Sequence, residues 1–118
     1  MKGKRMQVTI NYLELSSDDI AASKAFFSSA FGWGFTDYGP GYAGFEDAGL
    51  DGGIEQAGDG RTPPLAVLYA PDLDAAEAAV RSAGGEIVRA QFDFPGGRRF
   101  HFREPGGNEL AVWSEAKA

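Results

Sequence analysis

The chain has 118 residues, 43% of them hydrophobic and 13% aromatic, which is enough for a single domain with a real core, over residues 1–118. It contains no cysteine, so disulfides, thiolate metal sites and a cysteine nucleophile are excluded. Its 17 acidic and 11 basic residues give a net charge of −6, so phosphate backbones would repel it; nucleic acid is not an expected partner, whereas a cationic ligand is permitted.

In chain order, the basic start Met1–Met6 has no apolar stretch behind it. No later run reaches the about 18 apolar residues of a membrane span. The expectation is a cytoplasmic protein without membrane partners. Val8 to Leu15 reads as a strand, after which Asp18 or Ser17 can cap a helix with apolar positions Ile20, Phe27 and Phe31. Gly32 ends that helix. Short strands follow at Trp33–Tyr38, Tyr42–Asp47 and Gly52–Gln56, separated by glycine-rich turns. The segment 58–63, rich in glycine and polar residues, is a linker. A strand at Leu65–Ala70 then leads to a helix from Asp72 to Ala83 with the stripe Leu73, Ala76 and Val80. Gly84-Gly85 breaks it, and strands follow at Glu86–Ala90, Arg98–Arg103 and Glu109–Trp113.

The two halves repeat. Shifted by 53, the separation of Asp19 and Asp72, Leu15 falls on Leu68, Ile20 on Leu73, Ala22 on Ala75, Phe27 on Val80, Ala30 on Ala83 and Gly32 on Gly85. A self-similar period implies two copies of one supersecondary unit, neither able to bury its apolar face alone. Each copy reads βαβββ, module one over about 6–57 and module two over about 64–115. Function is then expected between the copies.

Strand alternation assigns the faces. Leu13, Leu15, Ala66, Leu68, Phe100, Phe102, Leu110 and Val112 are small or apolar and suit a face packed under the helices. The opposite face carries Tyr12, Glu14, Leu65, Val67, Tyr69, Arg99, His101, Arg103, Glu109, Ala111 and Trp113. Charges mixed with aromatics are costly to bury dry, so this face either lines a wet cleft or is an ordinary exposed sheet surface.

These residues resemble the vicinal oxygen chelate superfamily, which includes glyoxalase I, extradiol dioxygenases, fosfomycin resistance proteins and bleomycin-binding proteins. The resemblance rests on Leu15-Ser-Ser-Asp-Asp-Ile20, Ala25-Phe26-Phe27 and Phe31-Gly32-Trp33 in the first module. In the second it rests on Pro71-Asp72-Leu73-Asp74-Ala75-Ala76, Ala83-Gly84-Gly85, Pro95-Gly96-Gly97-Arg98 and Phe102-Arg103-Glu104-Pro105-Gly106-Gly107-Asn108. It implies an α+β fold in which two paired βαβββ modules form a curved mixed sheet around a cleft. Whether the modules pair within one chain or between chains stays open, and a homodimer is expected.

Metal-dependent members of that superfamily hold a divalent ion with His, Gln or Glu side chains from the first and last strand of each module. Here the matching positions are Tyr12, either Gly53 or Glu55, Leu65 and Ala111. Leu65 and Ala111 cannot ligate, so the resemblance implies no metal and no other cofactor. Tyr12, Tyr69 and Trp113 are candidate stacking surfaces for a small aromatic molecule, or else packing residues. Glu14 and Glu109 either hold a cationic ligand group, orient His101, or offset Arg99 and Arg103. His101, the only histidine, together with Glu55 and Tyr12, supplies the acid–base candidates of a lyase or isomerase reading. The leading expectation is a metal-free module that binds or sequesters an aromatic or cationic small molecule; an accessory domain that works through its dimer contacts is the third class.

Overall fold

The computed structural model describes residues 7–58, 60 and 62–116. The basic start Met1–Met6, and Asp59 and Arg61 of the linker, lie outside the described residues. The chain divides into two compact units, Asn11–Leu65 and, beside it in sequence, the residues up to Ile10 together with those from Ala66 onward. Among the described residues, no helix is long and apolar enough to cross a membrane.

In the first unit, β1 (Thr9–Ser17) leads into α1 (Ile20–Phe31), then β2 (Gly34–Asp37), β3 (Tyr42–Glu46) and β4 (Gly52–Gln56). β4 pairs in parallel with β1, and β2, β3 and β4 pair antiparallel in turn, giving the order β2-β3-β4-β1. The second unit repeats the plan with β5 (Leu65–Tyr69), α2 (Leu73–Ser82), β6 (Glu86–Phe94), β7 (Gly97–Arg103) and β8 (Glu109–Glu115), in the order β5-β8-β7-β6. Here too the outer pairings are antiparallel, and β5 runs parallel to β8. The βαβββ pattern read from the repeat is therefore the pattern of each unit.

The repeat extends to atomic detail. Asp19 and Asp72 are both helix caps in extended conformation, and their carboxylates accept from the backbone N–H of Ala22 at 3.1 Å and Ala75 at 3.0 Å. Such a bond satisfies one of the amides that the first turn leaves without a partner. The expectation of a cap at Asp18 or Ser17 is thereby corrected: Ser17 ends β1, two residues before the cap, where its hydroxyl accepts from Asp19 N–H at 2.9 Å. α1 ends on Gly32 at φ 77°, a left-handed conformation that glycine adopts without steric cost.

Each helix covers one sheet face. Ile20, Ala43 and Ile54 form the first core, with Leu15, Phe27, Phe35 and Phe45 packed around it. Ala70, Leu73, Ala76, Phe100 and Val112 form the second, joined by Val8, Leu68, Val80, Ile87 and Phe102. The helix-facing sets expected from alternation, notably Leu15, Leu68, Phe100, Phe102 and Val112, occupy that side. Phe31 does not: it was expected on the buried stripe of α1 but is 64% exposed, lying beside Phe26 and Trp33. The first strand also starts and ends later than Val8–Leu15, and β6 runs on to Phe94 instead of stopping at Ala90.

Candidate functional site

The face of the first unit turned away from α1 is built on glycine. Leu15 pairs with Ile54 in the core, so their neighbours Glu14 and Gly53, also paired, point to the other side. Tyr42 is opposite Glu55 in the β3–β4 ladder and Gly44 is opposite Gly53. A Cβ built on Gly53 would fall among the ring and hydroxyl atoms of Tyr42, and one on Gly44 would meet the Tyr38 ring at 3.1 Å. The tyrosines thus lie flat on the sheet because the residues beneath them have no side chains. The Tyr12 and Tyr42 hydroxyls are hydrogen-bonded to each other, and Tyr38 and Tyr42 have ring centroids 6.5 Å apart. Glu55 is exposed.

The corresponding face of the second unit centres on His101. Register places His101 beside Ala111, which in turn pairs with Val67; Arg99 beside Trp113, which pairs with Tyr69; and Arg103 beside Glu109. His101 is only 7% exposed. Its Nδ1 lies 3.0 Å from a Glu109 carboxylate oxygen, while its Nε2 lies 3.2 and 3.1 Å from Arg99 Nε and Nη2. A guanidinium can only donate, so Nε2 is the acceptor and Nδ1 carries the proton given to Glu109. Burial pushes the imidazole below its ordinary value of 6.5, the Arg99 and Arg89 charges push the same way, and the Glu109 bond acts against them. The ring is therefore neutral at pH 7.

Of the sequence-based candidates, Tyr12, Glu14 and Glu55 belong to the first unit, and Tyr69, Arg99, His101, Glu109 and Trp113 are brought onto one face of the second. Glu109 orients His101. Arg103 pairs instead with Glu86 at 3.3 Å. Tyr69 packs edge-on against Trp113 with centroids 4.9 Å apart, and its hydroxyl donates to Glu115, which pushes the phenol pKa up. Five residues were missed: Tyr38, Tyr42, Arg89, Phe92 and Phe94. The Gly52-Gly53 pair inside a strand was the available signal for the tyrosines, since strand glycine often marks close approach by another group.

Residues 9–112 match the family described as the Glyoxalase/Bleomycin resistance protein/Dioxygenase superfamily. The chain belongs to that superfamily. It is 32% identical over 124 aligned residues to the anthracycline biosynthesis protein DnrV of Streptomyces peucetius, covering 86% of this chain and 45% of that protein. It is 30% identical over 119 residues to the putative glyoxylase CFP32 of Mycobacterium bovis, covering 91% and 46% respectively. The chain thus spans under half the length of these relatives. Among solved structures it resembles the Mn(II)-bound glyoxalase of Novosphingobium aromaticivorans with a TM-score of 0.67 and 26% identity, over 93% of this chain and 41% of that one.

The superfamily includes metal enzymes, so the donor set must be tested. The Tyr12 and Tyr42 hydroxyls share a hydrogen bond, Gly53 is covered by the Tyr42 ring, Glu55 offers one exposed carboxylate, and Leu65 and Ala111 carry no donor atom. Among the described residues, no group of three or more His, Asp or Glu side chains could hold a metal ion. A catalytic divalent ion needs three protein ligands and an open position, and these residues do not fit one.

Proposed function

We propose that this glyoxalase-superfamily domain is a metal-free binding module that sequesters an aromatic small molecule. The observation that carries the reading is the replacement of metal donors by rings: Tyr42 over Gly53, bonded to Tyr12, occupies the place a ligating side chain on that glycine would need. Large amphipathic rings offer broad contact area together with a polar edge, which suits a planar ligand. The name of the DnrV relative, an anthracycline biosynthesis protein, points to the same class of compound.

The test is thermal denaturation with added compounds. A ligand that binds only the folded state raises Tm by mass action, so an anthracycline or another planar aromatic should do so. Zn²⁺, Ni²⁺ and Mn²⁺ should leave Tm unchanged, and chelators should leave the ligand effect intact. Tight stoichiometric metal binding would overturn the reading.

One observation favours a second reading, a lyase or isomerase of the glyoxalase type using its own acid–base groups. His101 has a fixed tautomer, with Glu109 holding Nδ1 at 3.0 Å, as an imidazole that moves protons requires. Its mark is turnover that falls on His101→Gln while ligand-induced stabilisation persists. Glu55 and Tyr12, the other acid–base candidates, belong to the first unit.

A further inference from the structure

We infer that the second unit holds a further binding site on the helix side of its sheet, an apolar pocket under α2 that takes an uncharged two-ring aromatic compound of indole or naphthalene size. This site is separate from the tyrosine face of the first unit.

The internal repeat shows what the pocket lacks. In the first unit Trp33 lies between two phenylalanines, stacked on Phe27 with centroids 4.7 Å apart at 13° and 5.4 Å from Phe45. The shift of 53, the separation of Asp19 and Asp72, puts Val80 in the place of Phe27 and Glu86 in the place of Trp33. Strand pairing supplies the third match. Ile54, opposite Leu15, pairs with Ala43, and Val112, opposite Leu68, pairs with Phe100, so Phe45 and Phe102, each two residues on, correspond. The middle of the sandwich is therefore gone: Glu86 is exposed and its carboxylate lies 3.3 Å from Arg103. Phe100, where the first unit has Ala43, is wholly buried in the core and does not line the space left. What remains is a pocket of about 350 Å³ with Val80 and Phe102 in its walls. Protein interiors are close-packed, so rings missing from such a layer leave apolar surface that a guest can cover.

The walls set the chemistry of the guest. Leu68, Ala76, Val80, Phe102 and Val112 offer only hydrocarbon side chains. Among the described residues of the lining, Glu104 is the one charged side chain, and its carboxylate accepts from the N–H of Gly106 at 2.6 Å and of Asn108 at 3.1 Å in the β7–β8 turn. Past the end of α2, the Gly85 N–H donates to the Val80 carbonyl at 2.8 Å, so the backbone there is paired as well. A charged guest would lose hydration with nothing given in return. An engineered apolar cavity of about 150 Å³ takes benzene, so a pocket about twice that size has room for two fused rings. Ala79 lines the pocket and is exposed, which leaves a mouth open at α2.

A Tm shift does not say where a ring binds, so the test follows the methyl signals of Leu68, Val80 and Val112 by NMR during titration with indole and naphthalene, alongside Tm. Both probes should move those signals saturably and raise Tm. Indole-3-acetate should bind at least about tenfold more weakly than indole, since its charge meets no partner. Ala79→Phe gives an exposed position of α2 the residue that its counterpart Phe26 already has, so the variant is expected to fold. It should weaken indole and naphthalene at least about tenfold by taking their space. Unmoved methyl signals at saturating probe overturn the inference, and a Tm rise without them leaves the tyrosine-face reading standing. Undiminished binding to Ala79→Phe places the rings elsewhere and overturns it too. Equal binding of indole-3-acetate overturns the uncharged class, and tighter binding of decan-1-ol than of naphthalene overturns the two-ring class. Signals that move with protein concentration alone would put a second copy of the chain in the pocket, in place of a small molecule.

Discussion

Tyr42 lies on Gly53, with its ring and hydroxyl where any side chain on that glycine would have to go. One of the two positions, Gly53 or Glu55, that the resemblance matches to a metal ligand is here a floor for an aromatic ring. Gly53→Ala should therefore cost about 1–3 kcal/mol, the usual penalty of forcing a methyl group into occupied space. In a Tyr42→Ala background the same change should be nearly neutral, because the obstructing ring is gone and the two effects are coupled. Chemical denaturation of the four proteins measures this, and a single-mutant cost below about 0.5 kcal/mol would show that Tyr42 moves aside freely.

Phe100 and Phe102 both face α2 but are not equivalent. Phe100 is wholly buried in the second core, whereas Phe102 is only partly covered and borders an apolar pocket of about 350 Å³ lined also by Val8, Leu68, Ala79 and Val80. Phe100→Ala should cost about 3–5 kcal/mol, in the range for truncating a buried aromatic. Phe102→Ala should cost clearly less, since part of its surroundings is already empty. Phe27, half-buried against the first core, should behave like Phe102. Equal losses at Phe100 and Phe102 would mean that the pocket closes in solution.

The parts of the fold that were legible in the sequence are those governed by local rules. Asp19 and Asp72 sit 53 residues apart and each caps a helix; regular alternation placed Phe100, Phe102 and Val112 on the helix side and Arg99, His101 and Trp113 on the other. Glu109 was named as a possible partner of His101 and is one. Where alternation breaks, reading by parity fails: the β6 bulges bring Arg89 and Phe92 to a face that strict period two denies to one of them. The tyrosine floor was hidden for another reason. It depends on what Gly53 lacks, and a missing side chain announces its neighbour only once the strands are paired. Phe31 was misassigned because α1 carries aromatic residues on more than one side, so helical spacing alone does not say which of them is buried.

Phe26 and Phe31 are 58% and 64% exposed on α1, edge to face at 6.2 Å. Monomeric proteins seldom leave paired large aromatics open to water, and a two-fold dimer is the commonest way to cover such a patch. The homodimer expected from the sequence thus has a candidate surface on a helix. Sedimentation should give a dimer for the parent chain, and Phe26→Ser with Phe31→Ser should give a folded monomer. A parent chain that sediments as a monomer at micromolar concentration would remove the proposal, and a double variant that stays dimeric would move the interface elsewhere.

His101 should make stability fall on the acid side of neutrality. In the unfolded chain an imidazole titrates near 6.5, whereas burial holds this one lower in the folded state, with Arg99 and Arg89 adding to the effect and Glu109 opposing it. Between those two values the unfolded chain binds more protons than the native one. Stability due to His101 is therefore complete above pH 6.5 and is lost as pH falls through the window below it, with a slope of at most about 1.4 kcal/mol per pH unit for one proton. Carboxylates contribute their own acid sensitivity lower down, Glu104 among them, since the amides of Gly106 and Asn108 hold its pKa below the ordinary range. Comparison with His101→Gln separates the two, because glutamine can still accept from Arg99 and donate to Glu109 but does not titrate. The parent protein should lose stability faster than the variant between pH 7 and 5, measured as denaturation midpoints at matched ionic strength. Parallel curves would mean that His101 titrates as it does in the unfolded chain. A parent that gains on the variant as pH falls would mean that the Glu109 bond outweighs burial and the arginines, and that the imidazole is charged in the native state.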